Sequence, residues 1–250
     1  MYGIVGALAA LLVAPCVALA AGGDVKLDRA PLDGHDMLSL QRGARHFVNY
    51  CLNCHSANYM RYNRLTDLGL TEPQILDHLV FTGAKVGDLM KIAMDPRDAK
   101  EWFGAQPPDL TVIARSRASH AGSGADWLYT YLRGFYRDST RPTGWNNTVY
   151  HNVGMPHVLW ELQGEQVLKT ETVAGPGYPV DVTKLELARP GTLSPREYDR
   201  MVADLVNYLN YMAEPAQNTR TVVGIYVLGF LAFLWGVAYL LKKEFWKDVH

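Results

Sequence analysis

Hydrophobic residues are distributed along the chain in three ways: an unbroken run near each end and, between them, a helical recurrence at every third or fourth position. The first run is apolar from Ile4 onward and closes on Ala18-Leu19-Ala20-Ala21, followed by Gly22-Gly23. A signal peptidase cleaves after small residues of this kind, so residues 1–21 are expected to be an export signal removed on maturation, with a retained N-terminal anchor as the competing reading. Cys16 lies inside it, directly after Pro15, where a lipoprotein signal would need a small residue. The second run, residues 222–241, is 20 residues without a charge. At ~1.5 Å per residue it spans a hydrocarbon core of ~30 Å, which predicts a transmembrane helix over 221–241. Lys242, Lys243 and Lys247 follow, whereas Arg220 is the only basic residue in the 20 positions before residue 222. Positive charge collects on the cytoplasmic side, so the tail 242–250 is expected inside and the body 22–220 outside. Trp235, Tyr239 and Trp246 stand where interfacial aromatic anchors occur.

Within the body, Ser39 is placed to cap a helix whose positions Leu40, Ala44, Phe47, Val48 and Cys51 fall on one face. Thr71-Glu72-Pro73-Gln74 and Ser194-Pro195-Arg196-Glu197 are capping boxes, each opening a further helix. The later of these turns Tyr198, Val202, Leu205, Leu209 and Met212 inward before Pro215 stops it. Another helix is predicted over 126–136, with Leu128, Tyr131, Leu132 and Phe135 inward. The stretches 83–122 and 138–193 are rich in Gly and Pro and are expected to be long ordered loops that wrap or dock something.

Composition narrows the function classes. With 24 basic and 25 acidic residues and no basic run, the chain has no electrostatic footprint for nucleic acid. Three cysteines are too few for a disulfide scaffold, and two of them share one five-residue segment, which points to a local chemical site.

That segment is Cys51-Leu52-Asn53-Cys54-His55, the C-x-x-C-H attachment signature of c-type haem. Residues three apart near a helix end face the same way, so two thiols reach the two vinyl groups of one porphyrin edge. The next residue, His55, is held beneath the ring with a nitrogen toward the iron. With 3 Cys and 8 His in 250 residues, the pattern would arise by chance in roughly one such chain in a thousand. A redox C-x-x-C pair or half of a zinc site would need a thioredoxin-like strand pattern or a second Cys/His pair, and the sequence offers neither.

An iron with one histidine needs a sixth ligand to pass electrons without binding small molecules, and Met or a second His are the choices. Met60 is too close in sequence to reach the far face of the ring. Most of Met37, Met90, Met94, Met201 and Met212 sit on apolar helix faces, where Met usually fills a core. Met155 lies instead in the irregular Val153-Gly154-Met155-Pro156, about a hundred residues past His55, with His151 and His157 as competing ligands.

Together these landmarks resemble the cytochrome c1 family, the haem subunit of quinol-cytochrome c reductase (the bc1 complex). They run in order along nearly the whole chain: Gln41-Arg42-Gly43, Cys51 to His55, Met60-Arg61-Tyr62, Pro107-Pro108-Asp109-Leu110, Ile113 to Arg117, Gly154-Met155-Pro156, Ala213-Glu214-Pro215 and one C-terminal span. The resemblance implies a mainly α, cytochrome-c-like helical haem domain with long loops, plus one C-terminal transmembrane helix. It implies one covalent haem c, His55 and Met155 as axial ligands, and Arg117 paired with a haem propionate. It also implies a dimeric complex with cytochrome b in the inner membrane, the haem domain on the periplasmic side, electrons arriving from a Rieske iron-sulfur protein and leaving to a soluble cytochrome c. The family's acidic docking surface is represented only by Glu161, Glu165 and Glu171 behind the ligand loop.

Two further expectations come from the residues. A carbonyl of Pro107 or Pro108 is placed to accept the second ring N–H of His55 and fix its tautomer. Trp127 and Tyr131, one turn apart, pack either on the porphyrin or in the core. The chain is therefore expected to be a one-electron carrier with no catalysis of its own. A membrane-anchored mono-haem cytochrome of another respiratory or nitrite-reducing system and a haem-based gas sensor are the competing functions.

Overall fold

The computed structural model describes residues 26–174 and 179–247. The expected signal at 1–21, with Cys16, lies outside the described residues.

The first helix, α1 (Met37–His46), begins three residues earlier than expected. Asp36 caps it, its carboxylate accepting from the Ser39 backbone N–H at 2.9 Å, so Ser39 is a helical residue. An anionic side chain there both satisfies an orphan donor and complements the positive end of the helix. Leu40, Ala44, Phe47 and Val48 are buried, and Cys51 is half-buried at the end of the same face. Past His46 the helix widens into a π turn, Phe47–Cys51, closed by the Leu52 N–H on the Phe47 carbonyl at 3.0 Å. Such turns are rare and recur at functional sites.

Short elements follow: strand β1 (Ala57–Arg61), a 3₁₀ turn (Tyr62–Leu68), helix α2 (Glu72–Leu79) and strand β2 (Leu89–Met90), which pairs antiparallel with β1. The Thr71/Gln74 capping box is present at the start of α2. Two segments expected to be loops are partly regular. Within 83–122 lie β2, helix α3 (Pro96–Phe103), capped by Asp95 with Pro96 at the first position, and one turn of helix, α4 (Ile113–Ser116).

Helix α5 (Gly124–Arg133) is opened by Ser123 and Asp126 in a capping box and stops at Gly134, earlier than the expected end at residue 136. Phe135–Arg137 instead forms β3 and pairs antiparallel with β4 (Trp145–Asn147). Leu128, Tyr131, Leu132 and Phe135 are all buried as their spacing requires. After one turn of helix, α6 (Trp160–Gln163), the chain forms a long hairpin of β5 (Gly164–Ala174) and β6 (Pro179–Pro190). This hairpin is the largest departure from the expected loop at 138–193. Leu168 stands opposite Leu185 and Gln166 opposite Leu187, while on the other face Lys169 pairs with Glu186 at 2.5 Å. Val167 and Val182 share the face of the charged residues, and Thr170 and Thr183 share that of the leucines, so neither face is uniformly apolar and the period-two signal of a strand is masked.

Helix α7 (Pro195–Ala213) is the central packing element, opened by the Ser194/Glu197 capping box. It crosses α1 at Gly43, where an added Cβ would lie 2.1 Å from the Asp204 carbonyl oxygen and 2.6 Å from the Tyr208 Cβ. Only glycine permits that approach. Arg42 grips the Asp204 carboxylate through Nε at 2.6 Å and Nη2 at 2.9 Å, and the Asn207 amide donates to the Asp33 carbonyl and the Ser39 hydroxyl. Arg133 binds Asp199 at 2.6 Å and Asp28 at 2.9 Å, and the Tyr198 hydroxyl donates to the Leu132 carbonyl, fixing α5 on α7. Leu40, Phe47, Leu128, Leu132, Val202, Leu205 and Tyr208 form the middle of the core between these three helices.

Beyond Pro215, helix α8 (Gln217–Phe245) contains the 27-residue candidate span Thr219–Phe245, whose most apolar part is wholly exposed. At ~1.5 Å per residue it is about 40 Å long, enough to cross a bilayer with some tilt.

Candidate haem-binding site

The π turn delivers Cys51 to a tight turn in which its carbonyl accepts from both the Cys54 N–H at 3.1 Å and the His55 N–H at 2.9 Å. Cys51, Cys54 and His55 therefore lie on one continuous helical turn, all half-buried, and the two thiols are unpaired. Burial pushes both thiols up, Cys51 to about 12, so the side chains stand as thiols.

The ring of His55 is fixed from behind. Its Nδ1 lies 2.7 Å from the Pro108 carbonyl oxygen, as the expected tautomer requires. Burial lowers the imidazole pKa, opposed by that hydrogen bond and by the charge of Asp109. The ring is thus neutral, protonated on Nδ1, with the Nε2 lone pair left to bind. The proline segment is itself laced to the strand after the motif. Leu110 N–H donates to the Ser56 carbonyl at 2.9 Å, and the Asp109 carboxylate accepts from the Asn58 and Thr111 N–H groups at 2.7 and 2.9 Å. The sequence gives only a faint sign of Asp109, as an Asp two residues before an accepted N–H.

Met155 is half-buried against the core, whereas Met60, Met90, Met201 and Met212 are buried within it. The Tyr131 hydroxyl donates to the Met155 sulfur at 3.3 Å. The loop that carries Met155 is held by two buried side chains absent from the sequence argument, Asn146 and Asn147 of β4. Asn147 donates to the Tyr131 carbonyl at 2.8 Å and accepts from Val149 and Tyr150, and Asn146 accepts from the Asn152 N–H at 2.8 Å. Asn152 adopts φ 60°, turning the chain just before Val153.

Arg117 ends α4 with its guanidinium 4.7 Å above the Trp127 ring, and Trp127 stacks on Tyr131 at 4.7 Å. Among the described residues Arg117 has no ion-pair partner, and stacking leaves the edge donors of its guanidinium free for an anion. Arg117, Trp127, Tyr131 and Met155 thus form one contiguous row.

The two competing histidines part company. His151 is exposed. His157 is 2% exposed, stacked on Phe135 at 4.7 Å and edge-on to Trp145 at 5.0 Å. Burial, opposed by the Gln163 side chain, takes its pKa down to about 4. A histidine whose native pKa lies below its unfolded value of about 6.5 stabilises the fold above that value and loses this contribution as pH falls toward 4. The loss amounts to about 3 kcal/mol by pH 4. The guanidinium midpoint is expected to fall over this window, and His157→Phe, which preserves the stacking, is expected to flatten the dependence. Of the three acidic residues behind the ligand loop, Glu165 is committed to Arg137 at 2.8 Å, while Glu161 and Glu171 are exposed.

The donor set fits a haem. Among the described residues no three His, Cys, Asp or Glu side chains converge as ligands for a bare metal ion. Two adjacent unpaired thiols, an imidazole presenting Nε2, a half-buried thioether and a stacked, unpaired guanidinium match a porphyrin's two vinyls, its iron and a propionate.

The model of the Cytochrome C1 family matches residues 28–249. The chain is 52% identical over 243 residues to a protein named ammonia monooxygenase gamma subunit from Nitrosomonas europaea, covering 97% of each chain. It is 52% identical over 241 residues to cytochrome c1 of Allochromatium vinosum, covering 96% of each, and 27% identical over 270 residues to cytochrome c1 of Rhodospirillum rubrum.

Proposed function

The chain belongs to the cytochrome c1 family, and on that premise we propose that it is the one-electron carrier of a bc1 complex. The single observation that supports this most is the His55 Nδ1 to Pro108 carbonyl contact at 2.7 Å, which orients an imidazole beside two unpaired thiols. When bound, haem c supplies a one-electron Fe(III)/Fe(II) couple. The residues do the rest. Cys51 and Cys54 hold one porphyrin edge through thioethers, His55 offers Nε2, Met155 offers its sulfur, and Arg117 presents donors to a propionate. No substrate pocket or proton transfer is needed.

In this proposal the chain is exported by residues 1–21 and anchored by the span at 221–241, with the body 22–220 on the periplasmic side of the inner membrane and the tail 242–250 in the cytoplasm. It sits beside cytochrome b in a dimeric complex, accepts electrons from a Rieske iron-sulfur protein and passes them to a soluble cytochrome c. Glu161 and Glu171 give that partner a weakly acidic surface, so docking should depend only modestly on salt.

Covalent attachment is checked by acid-acetone extraction: the colour should stay on the polypeptide, and haem in the solvent would refute the thioethers. Function is checked by purification from membranes. Recovery with a cytochrome b and a Rieske protein, and reduction by quinol through them, is the expected result. The relative named as an ammonia monooxygenase subunit motivates a second reading, electron delivery to a monooxygenase. Recovery with such an enzyme and no cytochrome b would favour it. CO binding to the reduced wild-type protein would instead indicate an open sixth position and a gas sensor.

A further inference from the structure

Tyr131 touches the ligand loop at both of its ends. Its hydroxyl donates to the Met155 sulfur at 3.3 Å, and its carbonyl accepts from Asn147, whose side-chain oxygen in turn holds the Val149 and Tyr150 N–H groups. The ring between them cannot swing, because Trp127 stacks on one side at 4.7 Å with an interplanar angle of 13°, and Phe135 meets it edge-on at 5.1 Å. Two other buried tyrosines behave differently: the Tyr198 hydroxyl donates to the Leu132 carbonyl at 2.9 Å, and the Tyr208 hydroxyl reaches the Met90 sulfur only at 3.9 Å, well beyond the 3.3 Å of the Tyr131 contact. Tyr131 spends its donor on a thioether, a poor acceptor, in a half-buried loop.

We propose that Tyr131 is a positioning residue for the Met155 thioether: its hydroxyl holds the sulfur in one orientation and draws electron density from it. This rests on Met155 being the distal ligand. A thioether sulfur has two lone pairs. With one occupied by the phenol O–H, the other is left for the iron and cannot rotate away. A sulfur that has donated part of its density to a hydrogen bond stabilises Fe(III) less, so the contact raises the reduction potential. It also slows displacement of the sulfur by an outside ligand.

The test compares wild type with Tyr131→Phe in the full-length, detergent-solubilised holoprotein. Phenylalanine keeps the ring between Trp127 and Phe135 and removes only the donor. The sulfur-to-iron charge-transfer band should remain, reduction should become about threefold to tenfold less favourable, the larger figure being a fall of about 59 mV, and added imidazole should displace the sulfur at several-fold lower concentration. Tyr131→3-fluorotyrosine, a stronger donor of nearly the same size, should shift the potential the other way, and it covers the case in which Tyr131→Phe fails to accumulate. An unchanged potential and unchanged imidazole displacement in either variant overturns the inference. Failure of the underlying ligand assignment reads differently: Met155→Leu would then keep the charge-transfer band.

Discussion

Met155→Leu is expected to yield a protein that is still red and still folded but no longer able to take electrons from its physiological donor. Leucine nearly conserves volume and apolarity, and the site is only half-buried at the edge of the core, so the fold should lose less than ~1.5 kcal/mol. Cys51, Cys54 and His55 are untouched, so the haem should remain attached. What changes is the sixth position. A thioether is a soft ligand that favours Fe(II), and a hydrocarbon leaves water or nothing in its place. The oxidised variant should lose the sulfur-to-iron charge-transfer band, the reduced variant should bind CO, and the potential should fall. Each 59 mV of fall makes transfer from a Rieske centre tenfold less favourable, so quinol-driven reduction should stall while dithionite still reduces the protein. If the band persists and CO is excluded, another ligand is in place. His157 would then have to leave its stack between Phe135 and Trp145, so exposed His151 becomes the first residue to replace.

Features whose chemistry demands a fixed spacing were legible in the sequence. The Thr71/Gln74 and Ser194/Glu197 caps are of that kind, and the structure reproduces both, as it does the single turn that gathers Cys51, Cys54 and His55. The Pro108 carbonyl was legible for a different reason: a proline offers only an acceptor, and a haem-ligating histidine needs one. The positions of Asn146, Asn147 and Asp109 were not. Each works by a side chain reaching a backbone group in an irregular segment, an arrangement with no period along the chain. The choice between Ser39 and Asp36 as the cap of α1 also could not be made from spacing, because both residues are good caps and lie within one turn of each other. The hairpin of β5 and β6 is not legible because valines are mixed with lysine and glutamate on one face and threonines with leucines on the other, and most of its described positions are exposed, so pairing rather than burial specifies it. The helical period marks Tyr131 as an inward aromatic, but it does not tell where a phenol oxygen points.

A chain ending at Ala216 is expected to leave the membrane entirely and carry its haem into the soluble fraction. Helix α8 starts only after the Pro215 break, and the most apolar part of its 27-residue stretch is wholly exposed, so its removal uncovers no core. The interactions lost across the cut include the Arg220–Glu214 pair at 2.7 Å, half-exposed and worth about 1 kcal/mol, and the Gln217 N–H on the Glu214 carbonyl at 3.1 Å. Helix α7 ends at Ala213 with its buried residues Leu205, Leu209 and Met212 upstream of the cut, so the packing against α1 and α5 should survive. Ultracentrifugation should therefore move the haem-staining band from pellet to supernatant, with an unchanged absorption spectrum in both oxidation states. Quinol-driven reduction in membranes should fall to background, because a carrier released from the bilayer no longer meets its donor at high local concentration. N-terminal sequencing belongs to the same experiment. If the soluble product begins near Gly22, residues 1–21 are a cleaved export signal; if the truncated protein stays in the pellet with Met1 intact, the N-terminal run is a second anchor. Retention in the membrane after cleavage would mean that some face of the haem domain itself holds the bilayer, and α8 would not be its anchor.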